Sequence, residues 1–139
     1  MDKYNSEGYP DPTAYEALTA IEKEERAAKV YRPLVYIASP FAGDTNYNTE
    51  QARHYCQYAV ESGNIPLAPH LLYPQFMDDD DKAQRELGLR FALILLPKCD
   101  ELWVFGDRIS KGMSQEIIKA KKCCKTIRYF NNRCEEVSK

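Results

Sequence analysis

Glu101-Leu-Trp-Val-Phe-Gly106, followed closely by Ile109-Ser-Lys-Gly-Met-Ser-Gln-Glu116, decides how the rest of this 139-residue chain is read. The first stretch is a short apolar run closed by a glycine. The second leads into a helical pattern, so the pair spells strand, turn and helix. In open α/β sheets ligands bind beyond the carboxyl ends of the strands. A carboxylate just past such a strand, here Glu116 on the expected first helical turn, is therefore the leading candidate for chemistry. The macrodipole of that turn is expected to keep it ionised.

Working outward, the same alternation recurs from Arg32-Pro33 onward. Leu34-Val-Tyr-Ile-Ala38 is a continuous apolar run, as a central parallel strand buried on both faces requires. Asn48 or Thr49 can cap a helix whose apolar positions Ala52, Tyr55, Cys56, Ala59 and Val60 follow three-four spacing, and Gly63 supplies its stop. A second strand, over 65–69, contains two prolines and belongs at an edge. A loop from His70 to Asp81 leads to a helix over 83–96. After the strand at Glu101 come a helix over 112–124, a strand over Thr126–Phe130 and a polar tail over 131–139. Right-handed crossovers then give a flavodoxin/Rossmann-like α/β three-layer sandwich with a parallel sheet of order 2-1-3-4. The chain changes direction of travel between strands one and three. That switch point opens a crevice shared by the loop Ser39-Pro40-Phe41-Ala42-Gly43 and the loop from Gly106 through Gly112 to Ser114.

The N-terminal segment, 1–31, reads differently. Thr13-Ala-Tyr-Glu16 fits a capping box after Pro12, and Leu18, Ile21 and Ala28 recur at helical spacing, so one amphipathic helix is expected over 13–29. The organisation is thus a helical extension (1–31), an α/β domain (32–130) and a tail (131–139).

Composition narrows the function classes. An apolar fraction of 44% in a chain of this length supports one core. Nineteen basic against 21 acidic residues, with no cationic stripe, argue against a nucleic-acid partner. No apolar run is long enough to span a bilayer and the first residues lack a signal-peptide core, so a cytoplasmic protein without membrane attachment is expected. Five cysteines without a C-x-x-C pair fit neither a disulfide framework nor a zinc site. With only His54 and His70, no metal site is expected, and Asp78-Asp-Asp-Asp81 reads as a helix cap with solvated charge. The loop after the first strand is no Walker loop, G-x-G-x-x-G and G-x-S-x-G are absent, and no cofactor is implied. Tyr36 lies inside a strand, where an aromatic usually fills core. A sharper reading makes it a buried hydroxyl that orients Glu116.

Val35-Tyr-Ile-Ala-Ser-Pro-Phe41, the pair Cys99-Asp100 before a strand, and Gly112-Met-Ser-Gln-Glu116 occur in an order that resembles the nucleoside 2-deoxyribosyltransferases. The resemblance covers about residues 34–130. It implies N-glycosidic cleavage or transfer on a nucleoside or nucleotide, with Glu116 attacking the anomeric carbon and Tyr36 positioning it. It also implies that Ser39, Pro40 and Phe41 line the pocket, that His70 contacts substrate, and that the protein is at least a dimer with shared pockets. One departure stands out. Where the family carries an acid eight residues before the aspartate of its A-D pair, this chain has Ala92. A nucleotide-binding or sequestering protein without turnover is the alternative that this implies.

Overall fold

The computed structural model describes residues 12–28 and 30–138, except the side chains at 12, 13, 27 and 28. The capping box expected of the Thr13 side chain and the helix end expected at Lys29 fall outside the described residues. The chain falls into two units, the first ending at Tyr31 and the second beginning at Arg32. The first carries α1 (Pro12–Ala28), a 17-residue helix.

In the second unit β1 (Leu34–Ala38), β2 (Ile65–Leu67), β3 (Glu101–Phe105) and β4 (Thr126–Phe130) are parallel, and β5 (Glu136–Val137) pairs antiparallel with β4. The order is β2-β1-β3-β4-β5. The expected 2-1-3-4 core is present, extended by a strand within what reads as a polar tail. Glu136–Val137 is too short to give a period-2 signal, and its pairing with β4 is held by something other than hydrophobic pattern. Arg128 donates to both carboxylate oxygens of Glu136, at 2.9 and 2.8 Å, and lies over the Trp103 and Phe130 rings. Such a forked, stacked guanidinium fixes geometry as well as charge.

Strand alternation sends side chains to two cores. Val35, Ile37, Trp103, Phe105 and Phe130 face α2 (Thr45–Glu61) through its Tyr55 and Ala59. Here Tyr55 stacks on Phe105 at 4.3 Å and Phe105 on Phe130 at 4.6 Å. On the other face Tyr36, Ala38, Leu102 and Val104 pack on α4 (Lys82–Leu95) and α5 (Lys111–Lys122) through Ala92, Met113, Ile117 and Ala120. Helices on both faces make the three layers.

Several boundaries move for local reasons. Asp44, rather than Asn48 or Thr49, caps α2 by accepting from the Tyr47 amide. Asn48 instead donates to the Phe41 and Ala42 carbonyls, both at 3.1 Å, and pins the loop after β1. Gly63 ends α2 as expected: at φ +83° its amide reaches the Val60 carbonyl while Asn64 reaches Ala59, the Schellman pattern. Pro69 belongs not to β2 but to the start of α3 (Pro69–Leu72), and a 3-10 turn (Tyr73–Gln75) follows, so the segment read as loop is half helical. Proline is favoured in a first helical turn, where its missing N–H costs nothing. Asp81 caps α4 through the Ala83 amide, the role expected within the acidic run. Among the described residues no helix is long and apolar enough to cross a membrane.

Candidate active site

Ser110 starts α5, its hydroxyl accepting from the Met113 amide. Counting from Lys111 places Glu116 in the second turn, not the first as the sequence suggested, and the first turn holds no acid. The dipole effect fades beyond the first turn. Burial therefore dominates: Glu116 is only 9% exposed, and desolvation pushes its carboxyl up to about 7. The Tyr36 hydroxyl opposes this by donating a hydrogen bond to the carboxylate. The expectation of a carboxylate held ionised by the dipole is thus corrected to one poised at neutrality. Tyr36 is itself buried, and burial together with the Glu116 charge drives its phenol far above the ordinary range. Tyr36 is both core filler and Glu116 partner.

Ser39 follows β1 directly and is buried; its hydroxyl lies 2.8 Å from Nε2 of His70 on α3. Burial lowers His70 to about 4, so the ring is neutral and one of the two groups donates while the other accepts. Tyr73, in the turn after α3, contributes to the Tyr36 environment and packs edge-on to Phe91 of α4. Phe41 is half-buried and Ser114 exposed. At Gly112 a Cβ would meet nothing within 4 Å, so the protein's own packing does not require glycine there. At Gly106, φ +100° does require it, and an added Cβ would sit 3.5 Å from Pro40 Cδ. Ala92 is a buried core residue on α4. Asp100 is occupied structurally, its carboxylate accepting from the Leu34 amide at 2.8 Å and so clamping the start of β1.

A cavity of about 320 Å³ opens beside this seam. Pro40, Gly43 and Gly106 are among its walls, as the shared crevice suggested. Glu116, Tyr36, Ser39, Phe41, His70, Gly112 and Ser114 are not. The remaining walls come from Asp44, Tyr47, Asn48, Gln51 and Tyr55 on the α2 side and from Asp107, Arg108 and Asn132 in loops. The sequence reading missed these. Tyr47, Gln51 and Tyr55 recur every four residues and so share a helix face, a signal that reads equally as core. The expected site residues therefore divide between two regions. Tyr36 and Glu116 touch one another, as do Ser39 and His70, while Pro40, Gly43 and Gly106 border the cavity. Among the described residues no group of three or more His, Cys, Asp or Glu side chains could hold a metal ion.

A mostly parallel α/β sheet with a buried tyrosine on β1 paired with a glutamate in the second turn of α5 is the class the geometry defines. A solved structure of the 2-deoxyribosyltransferase from the psychrotolerant bacterium Bacillus psychrosaccharolyticus, described as a biocatalyst for nucleoside synthesis, has a similar fold. Its TM-score is 0.60, with 17% identity, over 76% of this chain and 77% of that one. No curated protein matches the sequence. Residues 33–130 match the family described as Domain of unknown function (DUF7768), and the chain belongs to that family.

Proposed function

We propose that the protein cleaves or transfers an N-glycosidic bond of a nucleoside or nucleotide, with Glu116 as nucleophile and Tyr36 as its positioning partner. The observation that carries this reading is the buried Glu116 carboxyl hydrogen-bonded to Tyr36 in a fold similar to that of a 2-deoxyribosyltransferase. In the ionised form a Glu116 oxygen attacks the anomeric carbon, the C–N bond breaks, and its electron pair leaves with the base. The resulting glycosyl ester is resolved by water, giving a hydrolase, or by a second base, giving a transferase. A carboxyl pushed up to about 7 is half ionised near neutrality, a compromise between charge for attack and ease of departure from the sugar. His70, neutral with its value lowered to about 4, is no proton donor to the leaving base at pH 7. Ser39 and His70 act instead as a polar pair against the sugar or base. The working form is at least a dimer in the cytoplasm, a state that light scattering at micromolar concentration checks.

Incubation with a panel of nucleosides and 5′-monophosphates, followed by chromatography for free base, tests the proposal. Release by wild type and its loss in Glu116→Ala supports it. No release from any member, with the two proteins indistinguishable, removes it. Ala92, buried where a family acid would be needed, favours one second reading: a protein that binds nucleotides without turning them over. Ligand then raises the melting temperature by mass action while no base is freed.

A further inference from the structure

The 320 Å³ cavity has no part in the chemistry assigned to Glu116. Tyr55, in its wall, belongs to the core on the α2 face, whereas Tyr36 and Glu116 lie on the α4–α5 side of the sheet. Between the two regions, Pro40 stands against Gly106 closely enough that a Cβ would meet it at 3.5 Å. The volume lies at the small end of the about 300–1,000 Å³ found for ligand pockets, which suits one ring system with a small substituent.

Its walls specify the ligand further. Tyr55, stacked on Phe105 at 4.3 Å and only 3% exposed, closes the cavity with its rim, while Tyr47, half-exposed, offers the accessible ring. Gln51 Nε2 bonds the Tyr47 hydroxyl at 3.2 Å and the Asn132 carbonyl at 3.5 Å, joining helix and loop walls into one polar edge. Charge is balanced. Asp44 serves the α2 cap, and Asp107 is followed by Arg108, whose Nη2 leans on the Ala42 carbonyl at 3.4 Å. Among the described residues neither Asp107 nor Arg108 has an ion-pair partner. An aromatic wall with amide, carboxylate and guanidinium groups at its edge, and no surplus positive charge, suits a flat uncharged ring bearing both donors and acceptors.

We propose that this cavity is a second binding site, separate from Glu116, for an uncharged planar heterocycle of the nucleobase or nucleoside type. The ring lies against Tyr47, and its N–H edge donates to Asp107. A phosphate on the ligand adds little, because the single guanidinium of the cavity, Arg108, is outnumbered there by the carboxylates of Asp44 and Asp107. This site stands whether or not Glu116 turns substrate over, since its readout is binding.

Adenosine, guanosine, cytidine and uridine, each with its 5′-monophosphate, are titrated into the ¹⁵N-labelled full chain. At least one nucleoside is expected to shift the amides of Gly43, Tyr47, Gly106 and Asp107. Asp107→Asn and Tyr47→Ala, both at exposed positions, are each expected to weaken that binding about tenfold, the worth of one good hydrogen bond or ring contact. Glu116→Gln is expected to leave it within a factor of two. Three results overturn the proposal: no shifts at millimolar ligand, shifts confined to residues around Glu116 and His70, or a monophosphate binding ten times more tightly than its nucleoside. Base release with no change at the cavity amides would leave the Glu116 reading standing and remove only this one.

Discussion

Replacing Glu116 by glutamine separates burial from charge. The ordinary carboxyl value of 4.5 rises to about 7 in the folded protein because burial penalises the ionised form. Between those values the native state holds a proton that the unfolded chain has released. Stability therefore falls as pH rises through that window and levels off above about 7. At about 1.36 kcal/mol per pKa unit, the whole effect is about 3 kcal/mol. His70 acts in the opposite sense. Its value drops from 6.5 to about 4, so the unfolded chain binds the proton more readily and stability falls as pH is lowered from 6.5 toward 4. The two offset each other where their windows overlap, so the wild-type curve alone does not isolate either group. The difference between wild type and Glu116→Gln isolates the carboxyl. The amide cannot ionise, and its oxygen still accepts from Tyr36; any cost of burying its NH₂ group, about 1–3 kcal/mol if unpaired, is the same at every pH. Urea unfolding followed by the fluorescence of Trp103, which is 1% exposed, reads the transition directly. Relative to wild type the variant is expected to gain about 3 kcal/mol between about pH 4.5 and pH 8. A difference that stays constant across that range would refute the raised carboxyl and the burial that causes it.

Turnover, where found, is expected to rise with pH through about 7 as Glu116 ionises, and Tyr36→Phe should slow it by a smaller factor than Glu116→Gln, whose loss of a positioned group costs roughly a hundredfold or more. Gly106→Ala forces an L residue into φ +100° and should lower stability by about 1–3 kcal/mol; because the Pro40 contact is an ordinary one, adding Pro40→Ala should not restore it in denaturant unfolding. Cys124 ends α5 in the left-handed region at φ 56°, its amide on the Lys121 carbonyl and that of Lys125 on Ala120. Cys124→Gly should raise stability by about 0.5–1 kcal/mol in the same assay, glycine being free of the Cβ penalty there.

The parallel core was legible because burial on both faces leaves continuous apolar runs such as Leu34–Ala38 and Glu101–Phe105, each bounded by turn residues. What escaped was local and polar. β5 depends on the Arg128–Glu136 fork, the α2 start on Asp44, and the α3 start on Pro69, none of which leaves a hydrophobic period. At the site, the Tyr36–Glu116 pairing could be read from motif order, since β1 and α5 must meet at one face of the sheet. The turn that Glu116 occupies could not, because Ser110 rather than Gly112 begins the helix and moves the carboxylate beyond the dipole's reach. The cavity walls were hidden for another reason. Tyr47, Gln51 and Tyr55 carry the periodicity of any amphipathic helix, and only the fold shows that one end of their row faces a void.

The most direct test is covalent. A 2′-fluoro-arabinosyl nucleoside slows breakdown of a glycosyl ester more than its formation, so a glutamate nucleophile stays loaded. Digestion and mass spectrometry of the treated protein should find the sugar's added mass on the peptide containing Glu116, absent from Glu116→Gln and from a sample without the probe. An adduct on another residue, or full base release by the glutamine variant, would contradict the assignment.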